Sequence, residues 1–301
     1  MQNANTLEVI ILSGDLHCHT RLSDGSLGIE DLIIFAKKKG LETIAITDHD
    51  CLAGTVRGKV IGTRHGVQVI PGVELSATDE KNNKNVHILC YLPDSPDMLE
   101  GLCRRNSLAR KKAAHFMMLQ VAKRYPITTE FIMKCATGST NLYKKHMMQA
   151  LIECGYTNSF NGDLFKKHFT KDGDDCILVT PKYENIKDVI DAIHTAGGIA
   201  ILAHPVLSGC VENILEYKEL GLDGIEVYHP STTAEEQAEL KALATKNKLL
   251  ITGGSDFHGL YNEYNVSLGD YTAPDDDLRN LLSYKSKQKR LQKKLAQQAA
   301  E

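Results

Sequence analysis

The sequence contains no tryptophan, and only 6% of its residues are aromatic. Stacking on aromatic side chains is a main source of affinity for single-stranded nucleic acids. The net charge is slightly negative at −3, whereas proteins that hold nucleic acid usually present a basic surface. These two deficits argue against nucleic acid as the main partner, and no stable nucleic-acid complex is expected.

Signals for secretion and membrane insertion are also missing. The eight cysteines form no CxxC pair and no regular framework, a pattern typical of reduced core residues rather than disulfides. The first residues lack a basic region ahead of their short apolar run, so no secretory signal is indicated. No apolar segment is long enough to span a bilayer. We therefore expect a cytoplasmic protein without a membrane partner.

The chain does contain the pattern of an α/β domain. Its 301 residues are 42% hydrophobic, enough for one large core. Short apolar runs alternate with helical patterns near both ends of the chain, which predicts βα units and a mainly parallel sheet. The predicted strands are VIIL, TIAIT, VQVIPGV, HILCYL, IAILAH, GIEVYH and LLITGG. We expect one discontinuous barrel-like domain from residues 1–96 and 176–301.

Residues 97–175 have a different pattern of residue types. They contain no apolar run that ends in a histidine or carboxylate, and their patterns predict helices, with many lysines and arginines. We interpret this segment as an inserted helical subdomain that caps the barrel mouth, although a solvated basic helix face would look the same. The tail from Tyr284 is polar and helix-prone, and is either a frayed helix or disordered.

Histidines and carboxylates cluster at the ends of the predicted strands. His17 and His19 are two residues apart, so on a strand both side chains point to the same side, and Asp256 and His258 repeat this spacing. The strand ends of a barrel converge on one site, and mixed imidazole and carboxylate ligands suit Zn, Mn or Fe. The clusters therefore predict a polynuclear metal site. They comprise His17, His19, Asp24, Asp48, His49, Glu74, His87, His204, His229, Asp256 and His258.

The segments DLHCHT, SDG, TDHD, GVELSA, HIL, LAHP, EVYH and GSDFHG, in this order, resemble the polymerase and histidinol phosphatase (PHP) superfamily, and most closely its stand-alone, TrpH-like phosphoesterases. The resemblance implies a distorted (β/α)7 PHP barrel with three divalent metal ions (Mn, Fe or Zn). By motif, the first ion would be held by His17, His19, Glu74 and Asp256. The second would be held by Glu74, His87 and His204, and the third by Asp24, His49 and His258.

Such a site favours hydrolysis of phosphoric esters. Three divalent ions outweigh the three carboxylates that hold them, so the site attracts anions, and a hydroxide bridging two ions would be the nucleophile. No serine or cysteine triad is evident. His229 and Asp48 are the candidate catalytic side chains beyond the ligands. His229 could contact phosphate, act as a general acid or orient a ligand, whereas Asp48 and Asp15 are expected to orient ligands.

The inserted segment departs from those relatives. Where they usually present an Arg-x-His element, this chain reads Tyr-Lys-Lys-His at residues 143–146, so a lysine replaces the arginine and its planar fork. A shared nucleotide substrate is therefore not assured. The candidate residues for contacts with substrate phosphate are Arg105, Arg110, Lys144 and His146.

The leading hypothesis is a metal-dependent phosphoesterase that acts on a small phosphorylated metabolite. Both monoester hydrolysis of a nucleotide or sugar phosphate and opening of a cyclic phosphodiester, such as phosphoribosyl cyclic phosphate, fit the sequence. The alternatives are a 5′-exonuclease on oligonucleotides, which the basic insert and tail favour, and a histidinol-phosphate phosphatase. A non-catalytic PHP module would have lost ligands, and here every expected ligand position is filled.

Overall fold

The structure, a computed structural model, describes residues 14–298. It contains a seven-stranded sheet in the order of the sequence. The strands are β1 (Gly14–Cys18), β2 (Thr43–Ile46), β3 (Gln68–Asp79), β4 (Lys84–Tyr91), β5 (Ile199–Leu202), β6 (Gly224–Tyr228) and β7 (Leu250–Gly253). The strand predicted at VIIL lies outside the described residues.

All pairs of neighbouring strands are parallel except β3–β4 and β4–β5, because β4 alone runs in the opposite direction. The two edges of the sheet approach each other, since Cys18 of β1 bridges Phe257, which follows β7. The nearby Gly254 permits this approach, because a Cβ there would collide with the backbone of His17. The predicted α/β fold with a mainly parallel sheet is confirmed.

Helices cover the sheet and build the inserted segment. They are α1 (Ile29–Lys38), α2 (Ala53–His65), α3 (Glu100–Arg124), α4 (Thr129–Cys135), α5 (Lys144–Glu153), α6 (Asp163–Phe169), α7 (Ile186–Thr195), α8 (Ile214–Glu219), α9 (Ala234–Asn247) and α10 (Asp275–Gln298). Short 3-10 helices precede α3 and α8 and follow β7. The polar tail from Tyr284 is helical as far as α10 extends, which supports the helical alternative for that part.

Helices α3 to α6, all between β4 and β5, pack around a hydrophobic core of their own, which includes Met117, Ile132, Leu151 and Phe169. We call these four helices the cap. Helix α3 belongs to two cores, because Leu102 near its start packs with the residues of β3–β6 instead. The division into a barrel of residues 1–96 and 176–301 and an insert of 97–175 stays a prediction. No helix among the described residues combines the length and the apolar character needed to cross a membrane.

Candidate metal centre and the pocket above it

The sheet brings every predicted metal ligand to one edge. His17 lies on β1, while Glu74 and His87 lie on the paired strands β3 and β4, where Ser76 is opposite His87. The remaining candidate ligands lie within six residues after the ends of β1, β2, β5 and β7. Four overlapping groups of side chains place potential ligand atoms within 4.8 Å of one another. These groups are His17–His19–Asp256, His17–Glu74–His204, His49–Glu74–His87 and His19–Asp24–His49–His258.

Glu74 lies close to both imidazoles of the first group, His17 and His19, and the distances between these side chains and Asp256 resemble those between ligands of a single ion. The Nε2 atom of His17 lies 3.4 Å from both Glu74 Oε2 and Asp256 Oδ1. The Nε2 atom of His19 lies 3.2 Å from the same Glu74 oxygen and 3.3 Å from the same Asp256 oxygen. Ligands about 2.0–2.2 Å from a tetrahedral zinc ion are separated from each other by roughly 3.3–3.6 Å. Each of these two imidazoles therefore lies at the distance from both carboxylates that is expected between two ligands of one ion.

Glu74 lies at the centre of the cluster, and its side chain is 1% exposed. Its Oε2 atom faces His17 and His19, and also His49 Nδ1 at 2.9 Å. Its Oε1 atom faces another pair of imidazoles, His87 Nδ1 at 2.9 Å and His204 Nε2 at 3.1 Å. Because the two oxygens face different sets of nitrogens, this carboxylate is placed to bridge two ions.

Asp24 belongs to the group that also contains His19, His49 and His258. Its Oδ1 atom lies 3.3 Å from His258 Nε2, and its Oδ2 atom lies 3.8 Å from His49 Nε2. The backbone carbonyl of Asp256 lies 2.8 Å from His258 Nδ1 and accepts a hydrogen bond from it. This hydrogen bond directs the lone pair of His258 Nε2 towards Asp24.

The unsatisfied polar atoms of the cluster fit bound cations. Among the described residues, six of its buried nitrogens and oxygens have no hydrogen-bond partner, and such groups are rare and costly in proteins. They belong to His17, His19, Asp24, His49, Glu74 and His87. The donor set of imidazoles and carboxylates suits Zn, Mn or Fe. The residues present therefore fit metal ions.

The ionisation of the cluster supports the same conclusion. Burial lowers the pKa of His49 to about 4, so its imidazole is neutral at pH 7, in the form that binds metals. Burial also disfavours a proton on His19, but the close carboxylates of Asp256 and Glu74 outweigh burial and raise its pKa to about 10. The buried carboxylates thus favour positive charge beside them, which bound cations would supply.

Glu226 supports this cluster, and the sequence analysis did not identify it. Its fully buried carboxylate lies 3.0 Å from His17 Nδ1 and accepts a hydrogen bond from the backbone N–H of His204 at 2.9 Å. The first contact favours a proton on Nδ1 and leaves the lone pair of Nε2 pointing into the cluster. A signal existed in GIEVY, where an acidic residue interrupts an otherwise apolar strand.

Two of the candidate ligands have strained backbones. His204 and Asp256 have φ angles of 29° and 48°, and Asp50, which follows the candidate ligand His49, has a φ angle of 48°. Non-glycine residues rarely adopt positive φ, and such strain concentrates at functional sites. The sharp turns after β2, β5 and β7 therefore aim side chains that a relaxed backbone would direct elsewhere.

A cavity of about 340 Å³ lies between the metal cluster and the cap. Seven of the predicted ligands line it on the barrel side, namely Asp24, His49, Glu74, His87, His204, Asp256 and His258. Arg110, Tyr143, Lys144 and Lys145 line it on the cap side, together with Tyr183 from the segment that precedes α7. The cavity thus lies between the candidate metal ligands on one side and three cationic side chains on the other.

The family model described as PHP domain matches residues 15–200, more than half of the chain. The chain belongs to the PHP family. The match contains the candidate ligands from His17 to His87, while His204, Asp256 and His258 follow it. The predicted family is therefore confirmed.

Three relatives illustrate the range of this PHP protein's neighbours. A phosphoribosyl 1,2-cyclic phosphate 1,2-diphosphodiesterase from Eggerthella lenta is 35% identical over 250 residues, which are 82% of this chain and 94% of the relative. The 5′-3′ exoribonuclease Rnm of Escherichia coli is 34% identical over 81% of this chain and 84% of the relative. A 3′,5′-nucleoside bisphosphate phosphatase from Chromobacterium violaceum is 28% identical over 81% of this chain and 86% of the relative.

A solved structure agrees with the fold. A Bifidobacterium adolescentis protein described as a metal-dependent phosphoesterase superimposes with a TM-score of 0.81, at 28% identity. The superposition covers 89% of this chain and 95% of that protein. The similarity in fold therefore extends over most of the chain. Together with the named activities of the relatives, the PHP match confirms the predicted enzyme class, a hydrolase of phosphoric ester bonds.

The two candidate catalytic residues lie behind the ligands of this PHP site. His229 is fully buried, accepts the backbone N–H of Ser231 at Nδ1, and lies 3.4 Å from Asp256 Oδ2 through Nε2. Asp48 accepts hydrogen bonds from Thr20 and from Ser23 Oγ at 2.6 Å. Neither residue lines the cavity. His229 thus contacts Asp256, and Asp48 contacts the loop that carries Asp24.

Asp15 does not orient an imidazole, contrary to expectation. Its carboxylate accepts hydrogen bonds from the backbone N–H groups of Ser255 and Gly269, each at 2.9 Å. The side chain therefore joins β1 to the segment that follows β7, and its role is to hold the two edges of the sheet together.

Only some of the predicted substrate-binding residues line the cavity. Arg110 and Lys144 line the cavity, but Arg105 and His146 do not. Arg105 is 59% exposed and pairs with Glu184 at 2.5 Å on the outer face of α3. His146 is buried at the start of α5, where its Nδ1 atom accepts the N–H of Tyr143, and burial lowers its pKa to about 4. Sequence position alone could not show which face of each helix points inward.

Proposed function

We propose that this protein hydrolyses a cyclic phosphodiester of a small phosphosugar, such as a phosphoribosyl 1,2-cyclic phosphate. The observation that carries the proposal is the small cavity, which joins seven of the candidate metal ligands to the cations of the cap. Its volume of about 340 Å³ is at the lower end of the usual range for small-molecule sites. The diphosphodiesterase of Eggerthella lenta, matched over nearly its whole length, supports this substrate class.

The cluster would hold three divalent ions. The first would be bound by His17, His19, Glu74 and Asp256, the second by Glu74, His87 and His204, and the third by Asp24, His49 and His258. Bound divalent ions lower the pKa of water and neutralise charge on phosphoryl oxygens. The carboxylates supply only three negative charges to this site, so it keeps a net positive charge that favours an anionic ester.

The protein's own side chains would position the substrate. Lys144 is partly exposed to the cavity, and burial lowers the pKa of its ammonium group. Lys145 is 7% exposed, forms a pair with Glu263 at 3.4 Å and also contacts Asn161. We therefore assign the contact with substrate to Lys144, and a structural contribution to Lys145, because Lys145 is more deeply buried and already contacts both Glu263 and Asn161.

A second candidate function is 5′-3′ exoribonuclease activity. A groove lined by Leu108, Phe116 and Pro181 runs along the outer face of α3, with Lys112 and Lys182 beside it, and it shares Ala113, Val179 and Pro181 with the cavity. Downstream nucleotides could follow this groove when the terminal phosphoester reaches the metal cluster. The similarity to Rnm of Escherichia coli favours this alternative.

A panel of esters separates these functions. The purified protein, loaded in turn with Mn, Fe and Zn, is assayed on ribose 5-phosphate 1,2-cyclic phosphate, a nucleoside 3′,5′-bisphosphate, histidinol phosphate and a 5′-phosphorylated oligoribonucleotide. We expect the cyclic ester to have the highest kcat/KM. A higher kcat/KM on the oligoribonucleotide, with a KM that rises steeply with salt, would assign the protein to the exoribonucleases instead.

A further inference from the structure

Two polar groups on the cap side of the cavity have no partner. Within the described residues, Arg110 Nε and Tyr143 Oη are buried and form no hydrogen bond, although both side chains line the cavity. A buried donor left unpaired costs about 1–3 kcal/mol. Neither group is a candidate metal ligand, so bound cations would not satisfy them.

The guanidinium group of Arg110 is held rigidly. Its Nη2 atom donates hydrogen bonds to Asp50 Oδ2 at 2.8 Å and to Ser76 Oγ at 2.7 Å. The Tyr143 and Tyr183 rings lie 5.0 and 5.3 Å from its Cζ atom. These contacts fix the group while Nε finds no acceptor, so an anion that enters the cavity would meet a donor already in place.

Tyr143 connects this arginine to the metal cluster. Its ring is stacked on His49, with the ring centroids 6.0 Å apart and the planes 21° apart. Its backbone N–H donates to His146, which fixes the residue at the N-terminus of α5. Arg110 is therefore one aromatic ring away from a candidate metal ligand. A ligand bound there would be next to the ester at the metal cluster but separate from it.

We propose that Arg110 and Tyr143 form a subsite for a second anionic group of the substrate, a phosphate that is not the one hydrolysed. The proposal rests on the proposed function and refines it to substrates that carry two phosphates. A phosphate group supplies acceptors for both Arg110 Nε and Tyr143 Oη, and the ammonium group of Lys144 adds a second positive charge on the same side of the cavity.

Tyr143→Phe is the test, because it removes the hydroxyl and keeps the ring that stacks on His49 and Arg110. The substrates are ribose 5-phosphate 1,2-cyclic phosphate and the same cyclic ester without its 5-phosphate. We expect the variant to raise KM for the first compound roughly ten- to a hundredfold, as for loss of a hydrogen bond to a charged group, and to change KM for the second less than about twofold.

Stability provides the second readout. The Tyr143 hydroxyl has no hydrogen-bond partner among residues 14–298, so Tyr143→Phe should leave the Tm unchanged or raise it. The matched control is Tyr125→Phe in the cap, whose hydroxyl lies 2.6 Å from His168 Nε2. That control should lower the Tm and leave both KM values unchanged. A lower Tm for Tyr143→Phe, with equal effects on both esters, would show a structural role and overturn the subsite.

Binding separates the subsite from the proposed reaction. The metal-loaded protein is titrated with a bisphosphonate analogue of ribose 1,5-bisphosphate and with the corresponding monophosphonate, neither of which can be hydrolysed. Tyr143-dependent preference for the bisphosphonate, without turnover of any cyclic ester, would retain the subsite and reject the proposed function. Turnover of the cyclic ester with no such preference would reject the subsite alone.

Discussion

Replacement of Glu226 by glutamine tests whether this buried carboxylate sets the orientation and tautomer of His17. Glutamine keeps the size of the side chain but offers only one oxygen. If that oxygen accepts the N–H of His204, the amide NH₂ group faces His17 Nδ1, where the carboxylate now lies at 3.0 Å. Two donors would then oppose each other, and His17 would have to move its proton to Nε2, the atom that faces Glu74 and Asp256.

The expected magnitude follows from the role of such partners in metal sites. Loss of a group that orients a metal-binding histidine typically lowers metal affinity by about ten- to a hundredfold. This corresponds to about 1.4–2.8 kcal/mol of binding free energy. We expect Glu226→Gln to bind one metal ion within this weaker range, while the remaining ions keep near-normal affinity because their ligands do not contact Glu226.

The assay is competition for Zn²⁺ against a chelating indicator, with metal content measured on the same samples. The control is Glu216→Gln, since Glu216 pairs with Lys81 at the surface and is remote from the cluster. Turnover at saturating metal should recover in Glu226→Gln more than at limiting metal. Wild-type metal affinity in Glu226→Gln, or equal losses in both variants, would refute the role assigned to this carboxylate.

Three further predictions follow from contacts in the cluster, the cavity and the surface. Glu74→Gln should lose metal and lower turnover more than about a hundredfold, whereas Glu263→Gln in the same cavity should retain full metal content; normal metal content in Glu74→Gln would exclude the bridging role. Lys144→Ala should raise KM for a phosphosugar ester much more than for a minimal aryl phosphate, and equal effects would exclude a role in specificity. Asp223 lies 2.9 Å from His194 and raises its pKa. This pair should therefore stabilise the fold fully below about pH 6.5 and lose that contribution as pH rises through the pKa of His194 in the folded protein. Unfolding of His194→Gln by denaturant should lack this pH dependence, and a variant that kept the wild-type dependence would contradict the assignment to this pair.

The sequence predicted the ligand-bearing edge of the sheet because strand periodicity and residue type are local properties. His17 and His19 share a side of one chain segment, and the apolar runs before His204 and Asp256 are strands in the structure. Parallel strands bring their carboxyl ends to one edge, so convergence of these residues followed from the pattern alone. Their assignment as ligands stays a prediction.

The reversed strand and the supporting residues could not be predicted in the same way. Hydrophobic alternation does not encode strand direction, so nothing local showed that β4 runs antiparallel to both of its neighbours. The partners of Glu226 and Asp15 are distant in sequence, and a buried carboxylate looks the same in a sequence whether it contacts an imidazole or a backbone amide. Arg105 and Arg110 lie on one helix, and only packing decides which one faces the cavity.

Helix α3 has a consequence for how the substrate enters. Its first turns are anchored in the barrel through Leu102, its middle is tied to Asp50 through Asn106 and Arg110, and its last turns hold the cap through Val121. One unbroken rod thus crosses the boundary between the two cores. The cap therefore cannot rotate as a rigid body relative to the barrel without bending α3. We expect exchange of substrate and product to depend on movements of side chains at the opening of the cavity. The distance between the cap and the metal cluster should already be fixed before a ligand binds.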